Sequence, residues 1–304
     1  MGKLAFIYPG QGAQKTGMGK DFYDTFPVAK AVFDKADEIL DISVTDLCFQ
    51  EDARLHETAY TQPALVTTCL AITAVLQEKG ISADVTAGLS LGEYAAIAAA
   101  GGFSAEAAIR TVRARGIYME EAVPGGQGAM AAVLGMEVSE IEKVLASIED
   151  VFIANYNCPG QIVITGMKEA VECACEELKA AGCKRCLPLK VSGPFHSPFL
   201  KEAGQKLGEL MQQVQVKELQ IPYVTNVTGE YVDDIGETKE LLVRQVSSSV
   251  KWIQSVETMI AKGVDTFIEI GPGKTLAGFI KKINPDVKII NISQVEDLEM
   301  LGTL

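Results

Sequence analysis

The sequence predicts an α/β protein in two parts: a large subdomain built on a parallel sheet, and a small βαββαβ unit inserted into it. Three observations carry this. At 85–96 a short β-favouring run enters Gly-Leu-Ser-Leu-Gly and passes at once into an Ala-rich helical run, the strand–turn–helix order of a sheet with helices on its faces. Apolar strand-like runs alternate with helical ones before residue 125 and again after 194, as a parallel sheet requires. Between 129 and 191 the order changes to β-α-β-β-α-β, the split βαβ arrangement of ferredoxin-like units. The expected boundaries are 1–125 and 194–304 for the large subdomain and 126–193 for the small one.

In chain order, Leu4–Tyr8 reads as a buried strand closed by the glycine-rich loop Pro9–Gln14. That loop has neither dinucleotide-binding nor P-loop spacing. Helices follow at 28–40 and 64–79, each preceded by a proline (Pro27, Pro63) suited to a first helical position. After the strand at 85–88, a long helix is expected from an N-capping Ser104 to about Val123. Pro124-Gly125-Gly126-Gln127-Gly128 is a hinge composition. The insert then reads as a strand at 129–134, a helix at 139–148 opened by a Ser139/Glu142 capping box, strands at 151–155 and 161–165, a helix at 168–181 and a strand at 184–191. Beyond Pro194 come a helix after Ser197-Pro198, a strand at 223–226, helices at 239–246 and 252–262, and a strand at 266–270. Gly271-Pro272-Gly273-Lys274-Thr275 is punctuation into a last helix rather than a phosphate cradle.

Composition narrows the class. The chain has 304 residues, 48% hydrophobic and 22% charged, with a net charge of −13 and seven cysteines. No apolar run is read as long as a membrane span, and the N-terminal apolar stretch is too brief for an export signal. With an odd cysteine count, a reducing cytoplasm is the expected setting. Cys173, Cys175, Cys183 and Cys186 fall close together, but residues two apart on a helix and three apart on a strand do not share a face, so no metal is expected. The acidity excludes nucleic acid as the main partner. An acidic partner would need a local basic patch, for which Lys184, Arg185, Lys190, Lys274, Lys281 and Lys282 are the candidates.

Gly88-Leu89-Ser90-Leu91-Gly92 has the form of a nucleophile elbow, as in α/β-hydrolase-like folds. Gly88 and Gly92 remove Cβ atoms from a sharp reversal, and the Leu91 N–H is free to meet an oxyanion. A serine that merely caps the next helix is the alternative. A serine nucleophile needs a base, and the chain has two histidines. His56 lies in a charged stretch and reads as solvated. His196, in Gly193-Pro194-Phe195-His196-Ser197-Pro198, lies in a rigid loop returning from the insert and is the candidate base. Arg115 has mostly apolar helical neighbours (Thr111, Val112, Tyr118, Met119), whereas Arg110 and Arg113 can lie toward solvent. A buried arginine needs an anionic partner, either a structural carboxylate or a carboxylate on the substrate.

A set of segments then points one way: Pro9-Gly10-Gln11-Gly12-Ala13-Gln14, Tyr60-Thr61-Gln62-Pro63-Ala64, Gly88 to Tyr94, Arg115-Gly116, Ala122-Val123-Pro124, Asn155 to Gln161, Gly193 to Ser197, and Glu269-Ile270-Gly271-Pro272-Gly273. In this order, along essentially the whole chain, they resemble the malonyl-CoA:acyl-carrier-protein transacylases of fatty-acid synthesis. The resemblance implies that Ser90 attacks the malonyl thioester with His196 as base, that the N–H groups of Gln11 and Leu91 form the oxyanion hole, and that Arg115 holds the malonyl carboxylate. It places the main-chain carbonyl of Gln245 behind the histidine in lieu of an acidic third member. It puts Gln62, Asn157 and Gln161 near the acyl pocket, and Phe195 favours malonyl over α-branched units. It implies ping-pong transfer from malonyl-CoA to the phosphopantetheine thiol of an acyl carrier protein, with coenzyme A as product, no bound cofactor, no metal, no membrane, and a monomer. Two positions depart from the family: Leu89 stands where histidine is frequent, and Ser249 where proline is frequent. A serine esterase or thioesterase and a trans-acting polyketide acyltransferase are the competing expectations; Arg115 speaks against the first.

Overall fold

The computed structural model describes residues 2–303 apart from Pro124 and Ser192, so Pro124 of the expected hinge and Ser192 of the His196 loop lie outside the described residues. The elements in order are β1 (Lys3–Tyr8), α1 (Lys20–Thr25), α2 (Pro27–Ile39), α3 (Val44–Phe49), α4 (Thr58–Glu78), β2 (Val85–Gly88), α5 (Gly92–Ala99) and α6 (Ala105–Glu121). Next come β3 (Gly128–Leu134), α7 (Val138–Leu145), β4 (Val151–Cys158), β5 (Gln161–Met167), α8 (Lys168–Ala180) and β6 (Arg185–Pro188). The chain finishes with α9 (Lys201–Gln213), β7 (Tyr223–Val224), β8 (Tyr231–Val232), α10 (Thr238–Val246), α11 (Trp252–Ala261), β9 (Val264–Ile270), α12 (Thr275–Ile283) and β10 (Lys288–Ile292).

Two separate sheets organise them. The larger has strand order β10-β9-β1-β2-β7-β8, parallel throughout except for the terminal β7–β8 pair. β1 and β2 run side by side with Tyr8 opposite Gly88, so their C-terminal ends deliver the Pro9–Gln14 loop and the Ser90 turn to one edge, where open α/β sheets place ligands. Ser104 caps α6 by accepting from the Ala107 N–H at 3.1 Å. The smaller sheet, order β4-β5-β3-β6, is antiparallel throughout, the ferredoxin-like order. Its apolar face packs Val133, Ile153, Ile162 and Ile164 against Ile141 of α7 and Val171 and Leu178 of α8. A parallel bridge between Asn155 and Val250 ties the small sheet to the segment after α10.

Several local expectations are corrected. α4 begins at Thr58, so Pro63 lies inside it. Proline has no N–H for the Ala59 carbonyl, and Arg113 Nη1 donates to that carbonyl at 2.8 Å instead; Arg113, also paired with Asp41, is held against the protein rather than free in solvent. By length and composition α4 could cross a membrane, contrary to the reading of the sequence, but 89% of its most apolar window is buried within the protein. α7 starts two residues earlier than the Ser139 capping box requires, with Glu137 at the N-cap and no side-chain cap. Cys175 and Cys186 are joined in a disulfide between α8 and β6, where the sequence suggested only reduced thiols: tertiary contact, not spacing, brings helix and strand together. β8 and β10, and the short α1 and α3, were not expected. At the Gly271–Thr275 turn, Glu269 accepts from the N–H groups of Leu276 and Ala277 at 3.1 and 2.8 Å, so the protein's own carboxylate occupies that helix N-terminus.

Candidate active site

Ser90 sits at the tip between β2 and α5 with φ 51°, the left-handed region that a non-glycine residue enters only when its surroundings insist. The glycines on either side are what permit the turn. A Cβ on Gly88 would lie 2.0 Å from the Gly92 carbonyl carbon, and one on Gly92 would lie 2.2 Å from the Tyr8 oxygen. Asn226, just beyond β7, clamps the elbow from outside: its Oδ1 accepts from the Ser90 N–H at 2.6 Å and its Nδ2 donates to the Gly88 carbonyl at 2.7 Å.

His196 reaches the elbow from the loop before α9, also left-handed at φ 59° and only 5% exposed. Its Nε2 is 2.7 Å from Ser90 Oγ. Its Nδ1 faces two carbonyl oxygens, Gln245 at 3.0 Å and Ser248 at 3.1 Å. Both are acceptors only, so Nδ1 carries the proton and Nε2 presents its lone pair to the serine hydroxyl. Burial, with the Arg115 cation next in weight, pushes the imidazole down to about 4, which keeps it neutral at physiological pH.

Arg115 projects from α6 into the same spot and is 1% exposed. Nη1 donates to Gln62 Oε1 at 2.9 Å, and Nη2 to Gln245 Oε1 at 3.0 Å and to Ser90 Oγ at 3.3 Å. The guanidinium also lies 5.4 Å from the Tyr94 ring centre, a cation–π distance. Its Nε has no partner among the described residues.

The three groups line a cavity of about 240 Å³. Gln11, Gln62, Leu89, Leu91, Asn157 and Phe195 line it as well. The backbone N–H groups of Gln11 and Leu91 have no acceptor among the described residues, and Asn157 Oδ1 is buried without a partner. Among the acyl-pocket candidates Gln161 is the exception. It pairs with Cys158 at the turn end of β5, two residues or roughly 7 Å along the strand from Val163, which does line the cavity; Gln161 itself does not. Lys190 and Lys274 are exposed and adjoin the lining residues Leu189, Val191 and Thr275. His56 is exposed and does not line the cavity.

Three contributions escape a reading of the sequence. Asn226 reads as the last residue of a strand, Glu93 enters only as part of the Gly88–Tyr94 segment, and Gln245 enters only through its carbonyl. In the structure the Gln245 side chain is a hub, its Nε2 donating to the Ser90 carbonyl at 2.9 Å and to Glu93 Oε2 at 2.6 Å. Glu93 is fully buried, which raises its carboxyl to about 7. A polar residue ending an apolar strand, and an acid inside an Ala-rich buried helix, were the only signals available.

Comparison with known proteins places this arrangement. Residues 5–304 match the acyl transferase domain family, and the chain is an acyltransferase. It is 47% identical to a malonyl CoA-acyl carrier protein transacylase of Bacillus subtilis, over 99% of this chain and 96% of that protein. Among solved structures, the malonyl CoA-acyl carrier protein transacylase of Clostridium perfringens superposes with a TM-score of 0.95 at 42% identity, covering 99% of this chain and 96% of that one. A malonyl-transacylase solved in complex with a type II PKS acyl-carrier protein gives 0.95 at 38% identity, covering 98% of each chain.

Proposed function

The chain belongs to the malonyl-CoA:acyl-carrier-protein transacylase family, and from that premise we propose that it moves a malonyl group from malonyl-CoA to the phosphopantetheine thiol of an acyl carrier protein in fatty-acid synthesis. One observation carries the reading: Ser90 Oγ has the His196 lone pair at 2.7 Å and the Arg115 guanidinium at 3.3 Å. A base and a buried cation converge on one nucleophile, which suits a thioester whose acyl group ends in a carboxylate. A simple esterase has no use for that cation.

Ser90 Oγ attacks the thioester carbonyl as His196 Nε2 takes its proton. The new imidazolium is stabilised by the carbonyls of Gln245 and Ser248, so no acidic third residue is needed. The oxyanion is met by the N–H groups of Gln11 and Leu91, which the fold leaves unused. The tetrahedral intermediate expels the coenzyme A thiolate, which recovers the proton from His196. In the second half-reaction His196 takes a proton from the carrier's thiol, the thiolate attacks the Ser90 ester, and Ser90 leaves with the proton returned to it. Arg115 holds the malonyl carboxylate throughout. Gln62 and Asn157 flank that acyl group, and Phe195 narrows the pocket against α-branched units. The subunit divides at 126–193, and the small sheet roofs the cleft against water. Lys190 and Lys274 flank the mouth and offer cations to the acidic carrier. One chain holds every group of the site, so a monomer suffices.

A second reading, loading of a polyketide carrier, draws on the likeness to the malonyl-transacylase solved with a type II PKS acyl-carrier protein; rates with the two kinds of carrier separate it. The primary test is intact-protein mass spectrometry after brief mixing with malonyl-CoA or acetyl-CoA. A malonyl adduct on the native chain, absent from Ser90→Ala and weak with acetyl-CoA, is the expected outcome. Free coenzyme A without any adduct would make the protein a hydrolase.

A further inference from the structure

This inference rests on the proposal that Arg115 grips the substrate carboxylate, and concerns how that cation is kept available. Among the described residues no carboxylate lies within ion-pair distance of Arg115, although it is 1% exposed. A buried cation without a counter-charge is costly. A carboxylate set directly on the guanidinium would remove that cost, but would also take the donors that a substrate carboxylate needs.

Gln245 separates the two demands. Its Oε1 accepts from Arg115 Nη2 at 3.0 Å, while its Nε2 donates to Glu93 Oε2 at 2.6 Å and to the Ser90 carbonyl at 2.9 Å. The orientation of the amide is determined by these neighbours. Arg115 only donates, and the Ser90 carbonyl only accepts. A flipped amide would set NH₂ against guanidinium and oxygen against two oxygens. Glu93 is in turn fixed by the Asn226 N–H, which donates to its Oε2 at 3.2 Å, and is 0% exposed.

We propose that Glu93 is a positioning residue for carboxylate recognition: through the Gln245 amide it supplies the counter-charge of Arg115 at one remove and leaves the guanidinium's remaining donors open to the substrate. The same amide touches the Ser90 carbonyl, so the nucleophile and the selecting cation share one anchor.

The test is a double-mutant cycle at pH 8, above the value of about 7 to which burial raises the Glu93 carboxyl, following acylation of Ser90 by malonyl-CoA and by acetyl-CoA. Glu93→Gln keeps shape but removes the charge, and should lower the malonyl-to-acetyl ratio by roughly tenfold or more, the scale of a hydrogen bond to a charged group. In an Arg115→Ala background it should lower that ratio no further, because the two residues act as one unit. Equal losses on both substrates, or full additivity with Arg115→Ala, would overturn the proposal. An Arg115→Ala variant with an unchanged ratio would instead remove the premise that Arg115 reads the carboxylate. If Glu93→Gln does not fold, Gln245→Met asks the same question, since it cuts the relay but keeps the carbonyl that faces His196; an unchanged ratio there would overturn the proposal equally.

Discussion

Ser90 and His196 meet at 2.7 Å with similar left-handed backbones, φ 51° and 59°, yet they are held there by different means. The Ser90 turn is built from consecutive residues: β2, two glycines and α5 in one short stretch. The His196 turn is built from a distance. Ser197 Oγ ties back to the Pro194 carbonyl, but the ring is aimed by the carbonyls of Gln245 and Ser248, 49 and 52 residues further along the chain. The nucleophile's turn is formed within one short stretch and then clamped from a distance by Asn226, whereas the base is aimed by distant carbonyls. Each left-handed non-glycine residue costs on the order of 1–3 kcal/mol, so both arrangements must be over-determined by their surroundings.

The largest effect should come from breaking the local one. In Gly92→Ala the new Cβ would lie 2.2 Å from the Tyr8 oxygen and 2.8 Å from its carbonyl carbon, backbone of a central strand that cannot yield. We expect a loss of about 3 kcal/mol or more, read by denaturant unfolding, together with loss of acylation. Gly193→Ala, in the histidine loop, is the control. Its nearest contact would be the Phe195 ring at 3.3 Å, a side chain able to shift, so the variant should fold with stability within about 1 kcal/mol of the native chain. Similar losses in the two would erase the distinction between the turns.

The histidine side is sharpened by pH. A general base works only unprotonated, and burial beside Arg115 holds His196 down to about 4 against the usual 6.5. Its neutral form therefore persists as pH falls through 6 and toward 5, and is lost only near 4. With acetyl-CoA, whose acylation does not draw on the Glu93 charge, the acid limb of Ser90 acylation under kcat/KM conditions should lie well below 6. Arg115→Gln removes one of the two causes of the depression and should move that limb upward. A limb at about 6.5 in the native chain would mean that the base is solvated before substrate binds.

The same contrast explains what was legible in the sequence. The elbow, the Ser104 cap and the buried face of α6 that carries Arg115 are encoded over a few residues each, and the structure places them as read. Leu91 was read from the elbow itself; Gln11, Gln62, Asn157, Phe195 and Gln245 reached the site by resemblance, and all are found around it. Pro63 misled because an arginine from another helix serves the carbonyl that the proline leaves free. The Cys175–Cys186 pairing, β8, β10 and the clamping role of Asn226 depend on contacts between segments distant in sequence, for which local pattern carries no signal. Glu93 was hidden for a different reason: a helix-opening acid is commonplace, and only its complete burial marks it.

The smallest effect tests how far the distant support of His196 extends. Ser249 Oγ donates to the Ile153 carbonyl at 2.6 Å, beside backbone bonds from Val250 N to Ala154 O at 2.7 Å and from Tyr156 N to Val250 O at 2.9 Å. These join β4 of the small sheet to the segment whose Ser248 carbonyl faces His196. The resemblance leads one to expect proline here, which stiffens a segment through φ; the serine instead fastens it through its side chain. Ser249→Ala should cost about 1 kcal/mol of stability, the net worth of one hydrogen bond. It should slow acylation by less than roughly threefold, because the two backbone bonds remain and the Gln245 carbonyl still receives Nδ1–H, a loss well within the usual range for a single contact. Its pH limb should coincide with that of the native chain. A displaced limb would show that the small sheet sets the basicity of His196 through this one hydroxyl, and the base would then be held by fewer contacts than the geometry provides.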